Sequence, residues 1–323
     1  MRCPQCGEMV PIRTKSVRKS GGSGTKWILI VLGLFGLLGL GCCGGIGFLF
    51  WSFVKPTDFP EQTQDYADAR KTYKTQLLRQ GASHQPWKPE TLPEGVREVT
   101  FKSGDLQLKA WVNQPPPDGP KKPAVLFLHG GFSFDQLDWD HCRQFRDDGF
   151  VTMTPMLRGE NGQPGNYTLF YDEVDDVIAA AEYLATIPGV DPKRIFVAGH
   201  SAGGTLALLA AMTSKRLMGC ASFSGSPDQV AFVRDQPDLA PFDTNNFKEL
   251  EMRSPLAYPK SFKCPVRLYW GNEEHVFKFS SQRLAKKSQA SGLDVQAIEV
   301  PGDHTTSVDP AMRLASTFFQ QAK

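Results

Sequence analysis

The stretch Arg194-Ile-Phe-Val-Ala-Gly199-His200-Ser201-Ala202-Gly203-Gly204-Thr-Leu-Ala-Leu-Leu-Ala-Ala carries the most information in the 323-residue chain. A short apolar, β-prone run stops at a glycine, a serine follows between small residues, and an alanine- and leucine-rich helical run begins at once. This is the strand–turn–helix setting that a G-x-S-x-G nucleophile elbow requires. Ser201 is placed on a strained turn, and Gly199 and Gly203 must be small for strand and helix to pack closely. The helix N-terminus behind Ser201 offers the free N–H of Ala202 and a positive dipole end to a developing oxyanion.

A serine hydroxyl needs a base to take its proton, and an elbow of this kind has its partners in the chain order serine, acid, histidine. Of six histidines, four precede Ser201, and His275 follows Glu273 and Glu274 without room for an intervening strand and helix. His304 remains, in the turn-rich Val300-Pro-Gly-Asp-His304, after the apolar run Val295–Val300 and before a helix expected over Pro310 to Gln321. Val266-Arg-Leu-Tyr-Trp270 reads as the strand leading to the acid loop Gly271-Asn-Glu273-Glu274-His275-Val276.

Gly-x-x-acid-x-Val, then a helix, a strand and Pro-Gly-x-His, resembles the catalytic domain of the prolyl oligopeptidase family and its dienelactone-hydrolase-like relatives. On that resemblance the family's aspartate falls on Glu274, a departure in residue type, with Glu273 as the competing register. Ala124-Val-Leu-Phe-Leu128-His129-Gly130-Gly131-Phe132 looks like the oxyanion loop after the third strand. There the N–H of Gly131 or of Phe132 would join that of Ala202, and His129 would hold the loop. Gly149-Phe-Val-Thr-Met-Thr-Pro155-Met-Leu-Arg158-Gly159 resembles the family's strand ending in an Arg-Gly turn, with a structural role expected for Arg158.

The resemblance spans about residues 96–320 and implies an α/β-hydrolase fold, a doubly wound and mostly parallel sheet. The local patterns agree. Val96–Phe101 and Leu106–Val112 alternate around Ser103-Gly104-Asp105 as a leading hairpin, and Asp172–Ile187 has the apolar spacing of a core-facing helix. The proline- and aromatic-rich insertion from Ser226 to Phe262 offers Phe232, Phe242 and Phe247 as pocket-lining candidates. Cys142, Cys220 and Cys264 sit among apolar neighbours, the expectation for buried free thiols.

The amino-terminal part is organised differently. Trp27 to Val54 contains no charged residue, enough for a helix to cross a ~30 Å bilayer core. Residues 1–26 carry six Lys/Arg against Glu8, a balance of +5, so the tail is expected in the cytoplasm and the rest outside. Gly41-x-x-x-Gly45 could bring two such helices together as a homodimer. Cys3-Pro-Gln-Cys6-Gly resembles one knuckle of a zinc ribbon, so Cys3 and Cys6 are candidate ligands of a structural zinc, with no second C-x-x-C to complete it.

The expected organisation is a basic tail with the knuckle (1–25), a transmembrane helix (26–55), a stalk or strap (56–95) and the catalytic domain (96–323). Glu61 to Arg79, with Tyr66, Tyr73 and Leu77 on one face, reads as helical, and nothing resembles β-propeller blades. No nucleotide-binding loop or nucleic-acid patch is evident, and catalysis requires no cofactor. The expected activity is a membrane-anchored serine hydrolase acting on a peptide or small ester through an acyl-enzyme, with the peptidase favoured. A carboxylesterase-like hydrolase and a catalytically silent binding module are the alternatives.

Overall fold

The computed structural model describes residues 56–113, 115 and 118–322. The Cys3/Cys6 knuckle and the uncharged run Trp27–Val54 lie outside the described residues. Among the described residues no helix is long and apolar enough to cross a membrane.

After a short helix α1 (Tyr66–Thr72), strands β1 (Val96–Ser103), β2 (Leu106–Asn113) and β3 (Lys122–Leu128) open the sheet, followed by α2 (Gln136–His141) and α3 (Arg143–Asp147). Strand β4 (Val151–Pro155), helix α4 (Glu173–Leu184), β5 (Val190–His200), α5 (Ala202–Thr213) and β6 (Gly219–Phe223) come next. Short helices α6 (Gln229–Asp235) and α7 (Phe247–Glu251) occupy the insertion. The chain closes with β7 (Val266–Gly271), α8 (His275–Gln289), β8 (Val295–Val300) and α9 (Val308–Gln321). The eight strands run in the order β1-β2-β4-β3-β5-β6-β7-β8. β1 and β2 pair antiparallel with each other and β2 with β4, and all other neighbours are parallel. This is the α/β-hydrolase fold, with its leading hairpin where alternation placed it.

The period of two in β3 divides the core. Ala124, Leu126 and Leu128 join one apolar cluster with α4 and α5, whereas Val125 and Phe127 join the other with Phe319 of α9. Helix α5 is buried along nearly its whole length, which explains its largely apolar composition. The carboxyl ends of the parallel strands lie along one rim of the sheet, where α/β sheets place their ligands.

Among the described residues, the segment ahead of β1 packs on the rest of the domain. Tyr66 is fully buried, its hydroxyl donating to Met252 O at 2.9 Å and its amide to Ser261 Oγ at 3.0 Å. The helix expected over Glu61–Arg79 is limited to α1, because a buried carboxylate captures the chain beyond it. Gln76 N–H and Thr75 Oγ1 donate to Glu249 at 2.7 and 2.8 Å, and Leu77 then bridges to Phe242. The three insertion phenylalanines part company. Phe242 is buried beneath Arg253, whose guanidinium carbon lies 3.9 Å from the ring centre, and Phe247 is exposed beside Phe59. Only Phe232 approaches the site, through Phe170 at 6.0 Å between ring centres.

Candidate active site

Strand β5 delivers Ser201 to the rim and α5 leaves it in a different direction, so the turn residue absorbs the change. Ser201 has φ +54° and ψ −115°, a conformation that L residues occupy only under constraint. The constraint is close packing of main chain on main chain. A Cβ on Gly199 would lie 2.3 Å from Gly203 O, and one on Gly203 would lie 2.2 Å from Leu128 O. The two glycines are needed for the approach of backbone to backbone at this crossing.

His304 sits between β8 and α9, with Nε2 3.0 Å from Ser201 Oγ and Nδ1 2.5 Å from Glu274 Oε1. Asp303 holds the loop turn by accepting from the amides of Thr305 and Thr306 at 2.9 and 2.8 Å. Glu274 Oε2 accepts from Ser224 Oγ at 2.5 Å and from Gly271 N–H at 2.9 Å. Burial alone would raise the Glu274 pKa, but hydrogen bonds from His304, Ser224 and Gly271 outweigh it and hold the carboxyl below its ordinary value. It is therefore an anion at neutral pH, suited to fix the Nδ1–H tautomer and to stabilise an imidazolium. Glu273, the competing register, is exposed, while its amide donates to Gly302 O at 3.2 Å.

The two candidate donors of the oxyanion loop have different surroundings. Phe132 N–H, one of two candidate donors, is taken: it donates to Gln85 Oε1 at 2.7 Å. Gly131, in the left-handed region at φ +64°, is the other candidate for the loop donor, with Ala202 at the start of α5. His129 is buried beneath this loop, with Nε2 3.1 Å from Glu160 and Nδ1 3.1 Å from Gly130 O. Burial favours neutral imidazole, but the Glu160 carboxylate outweighs it and pushes the pKa up to about 9. His129 is a charged tie of the loop. Arg158 likewise faces inward, gripping Asp176 through Nε at 2.8 Å and Nη2 at 2.7 Å.

Sequence reasoning passed over three contributors. Ser224 and Gln85 lie in segments with no motif, and His200 was set aside as preceding the serine. His200 Nε2 donates to His304 O at 2.8 Å. Burial and the neighbouring His304 push its pKa down to about 4, so it is neutral at physiological pH. A small cavity of about 10 Å³ adjoins Gly131, Phe132 and Ala202, walled by Leu157, Tyr167, Phe170 and Leu206. A hollow of about 550 Å³ between residues 60–65 and 257–261 contains none of Ser201, Glu274 or His304. Placed 3.0 Å from an imidazole backed by an anion, the serine can be activated for attack on a carbonyl.

Comparison with known proteins follows the same lines. The family model described as "Alpha/beta hydrolase family" matches residues 125–314, more than half of the chain. The uncharacterized peptidase YtmA of Bacillus subtilis (strain 168) is 25% identical over 186 residues, 54% of this chain and 72% of that protein. Among solved structures, the acylaminoacyl peptidase of Pyrococcus horikoshii is similar with a TM-score of 0.59 and 22% identity. That likeness covers 70% of this chain and only 41% of the peptidase, so this chain spans less than half of its length. A thermophilic carboxylesterase cloned from a metagenomic library is similar with a TM-score of 0.58 and 22% identity, covering 73% of this chain and 91% of that one. At these identities the two structures speak for the fold alone. The family match, which takes in the strand of the oxyanion loop, the elbow and the histidine loop, shows that the chain belongs to the alpha/beta hydrolase family, and the Ser201, His304 and Glu274 geometry is consistent with a serine hydrolase.

Proposed function

We propose that this chain cleaves a peptide or small ester bond through an acyl-enzyme on Ser201, with peptide substrates favoured. The observation that carries the reading is the line Ser201 Oγ to His304 Nε2 at 3.0 Å and His304 Nδ1 to Glu274 at 2.5 Å. Ser201 Oγ attacks the substrate carbonyl carbon while His304 Nε2 takes its proton, and the oxyanion is received by the N–H groups of Gly131 and Ala202. As the C–N or C–O bond breaks, His304 returns the proton to the leaving amine or alcohol. Water, deprotonated by His304, then attacks the acyl-Ser201 ester, releasing the acid and restoring the serine. Glu274 stays ionised throughout and faces the imidazolium in both halves.

Similarity to YtmA, named a peptidase and covered over 72% of its length, supports the peptide reading. Similarity in fold to a carboxylesterase over 91% of its length keeps a carboxylesterase-like reading as the second. Parallel assays on short blocked peptides and short acyl esters test the choice, and ester turnover with no peptide turnover would reverse it. Labelling by a fluorophosphonate probe, abolished in Ser201→Ala, is expected. Its absence from intact protein would favour a catalytically silent binding module. We further propose that the uncharged run Trp27–Val54 anchors the chain in a membrane, with the +5 tail cytoplasmic and the hydrolase outside. A carboxy-terminal reporter that works only in the cytoplasm should be silent, and an active one would refute this topology.

A further inference from the structure

The segment ahead of the sheet reaches the oxyanion loop with two side chains, and both close on one residue. Gln85 Oε1 accepts the Phe132 N–H at 2.7 Å, and Ser83 Oγ donates to Phe132 O at 2.7 Å. The peptide groups on either side of Phe132 are thereby fixed. The segment is itself anchored from several directions. Ser83 N–H donates to Gly159 O at 2.8 Å, Gly81 N–H to Asn166 Oδ1 at 2.9 Å, and Tyr167 N–H to Gly81 O at 2.9 Å. His84 packs against the rings of Phe132 and Tyr167 at 5.9 and 6.2 Å.

We propose that Gln85 and Ser83 are positioning residues that hold the Gly131 N–H in the direction of the substrate oxyanion, an inference that rests on the proposed function. The physical need comes from Gly130-Gly131. Two successive glycines have wide φ/ψ freedom, yet an oxyanion donor lowers a barrier only if it is already aimed when charge develops. Gly131 is held at φ +64°, and the Gln85 amide fills the place its side chain would take: a Cβ there would lie 2.7 Å from Gln85 Oε1. Gln85 also occupies the part-buried Phe132 N–H, which would otherwise lack this partner. The clamp thus does from outside the hydrolase motifs what the loop's own sequence cannot do.

The test uses the full-length protein with p-nitrophenyl butyrate as substrate and an aliphatic trifluoromethyl ketone, whose adduct with a serine carries an oxyanion, as inhibitor. Gln85→Leu should lower kcat on the order of 10- to 100-fold, less than or comparable to the ~10²–10³ lost with an oxyanion donor itself. KM should stay within about threefold, and the inhibitor's Ki should rise by about the factor by which kcat/KM falls. Ser83→Ala should move kcat and Ki in the same direction, and Ser83→Thr, which keeps the hydroxyl, should restore both. A melting profile checks each variant, and the Ser83 pair decides should Gln85→Leu fail to fold. Unchanged kcat and Ki, or a rise in KM alone, would overturn the proposal. So would faster turnover by Gln85→Leu, which would make the contact a plug. Hydrolysis that survives Ser201→Ala would instead remove the proposed function, so the two failures are distinguishable.

Discussion

His200 Nε2 donates to the main-chain oxygen of His304 at 2.8 Å, so the residue before the nucleophile holds the loop that carries the base. The rings are 4.8 Å apart between centres. Because burial and His304 push the His200 pKa down to about 4, the bond is made by a neutral ring and puts no charge beside the reacting proton. His200→Ala should leave the elbow folded and free the loop, lowering kcat by up to ~10²-fold, the scale of an ångström-sized misplacement. Steady-state kinetics with melting data checks this; unaltered kcat would mean that the Asp303 turn supports the loop unaided.

How far these contacts could be read beforehand depends on whether a residue's neighbours in space are also its neighbours in sequence. Gly199, Ser201 and Gly203 are legible because strand, turn and helix are consecutive, and the steric need falls on the same short stretch. The helix α4 is legible through Val174, Val177, Ala181 and Leu184, all buried on one face. The segment before β1 is not. Tyr66, Tyr73 and Leu77 share a helical face, but Glu249, some 170 residues away, binds Thr75 and Gln76 and ends the helix early. Glu249 and Arg253 look like surface charges in the sequence and are 1% and 0% exposed in the fold. Gln85 gives no signal at all, since its role follows from where one oxygen lands. The same oxygen binds the Phe132 N–H and so distinguishes it from that of Gly131.

The loop's ion pair makes stability depend on pH. The His129 pKa is raised in the fold to about 9, from an ordinary value near ~6.5. A raised basic pKa stabilises the fold fully below the unfolded value, and the contribution is lost as pH climbs through the folded one. Unfolding free energy should therefore fall between about pH 6.5 and 9, by an amount on the order of 1 to 3 kcal/mol. Urea titrations across that range should show the loss in the native protein and a flatter profile in His129→Gln. Equal slopes would assign the pH dependence to other groups.

Arg253 joins three parts of the chain that are far apart in sequence. Its guanidinium meets Glu249 at 2.5 Å, Leu169 O at 2.7 Å and Thr75 Oγ1 at 2.7 Å, with no exposure to solvent. Removing one member of a buried pair leaves a charge without its partner, which costs about 3–5 kcal/mol. Arg253→Met should show a loss of that size and open the segment around Tyr73–Gly81 to proteolysis. The double variant Arg253→Met/Glu249→Leu should recover part of it, because no unpaired charge is left behind. If the double variant is no more stable than the single one, the hydrogen bonds to Leu169 and Thr75 matter more than the ion pair.

The acid gives the sharpest test of the proposed triad. Glu274 and Glu273 are adjacent, of the same residue type, and turned to different surroundings by the loop after β7. Glu274 is buried against His304, Ser224 and Gly271, whereas Glu273 faces solvent. A carboxylate on Nδ1 fixes the tautomer that leaves Nε2 free to accept the serine proton, and it stabilises the imidazolium that forms. Glu274→Gln keeps the size and removes the charge, so kcat should drop, to an extent of about 10⁴-fold if this acid works as the best-studied aspartate does. KM should change far less, because the lost interaction is realised as charge develops on the ring. Glu274→Asp keeps the charge but shortens the reach, and should lie between Gln and the native residue. Glu273→Gln should be close to native in both constants. The reverse order of effect for Glu273→Gln and Glu274→Gln would refute the assignment and move the acid to Glu273.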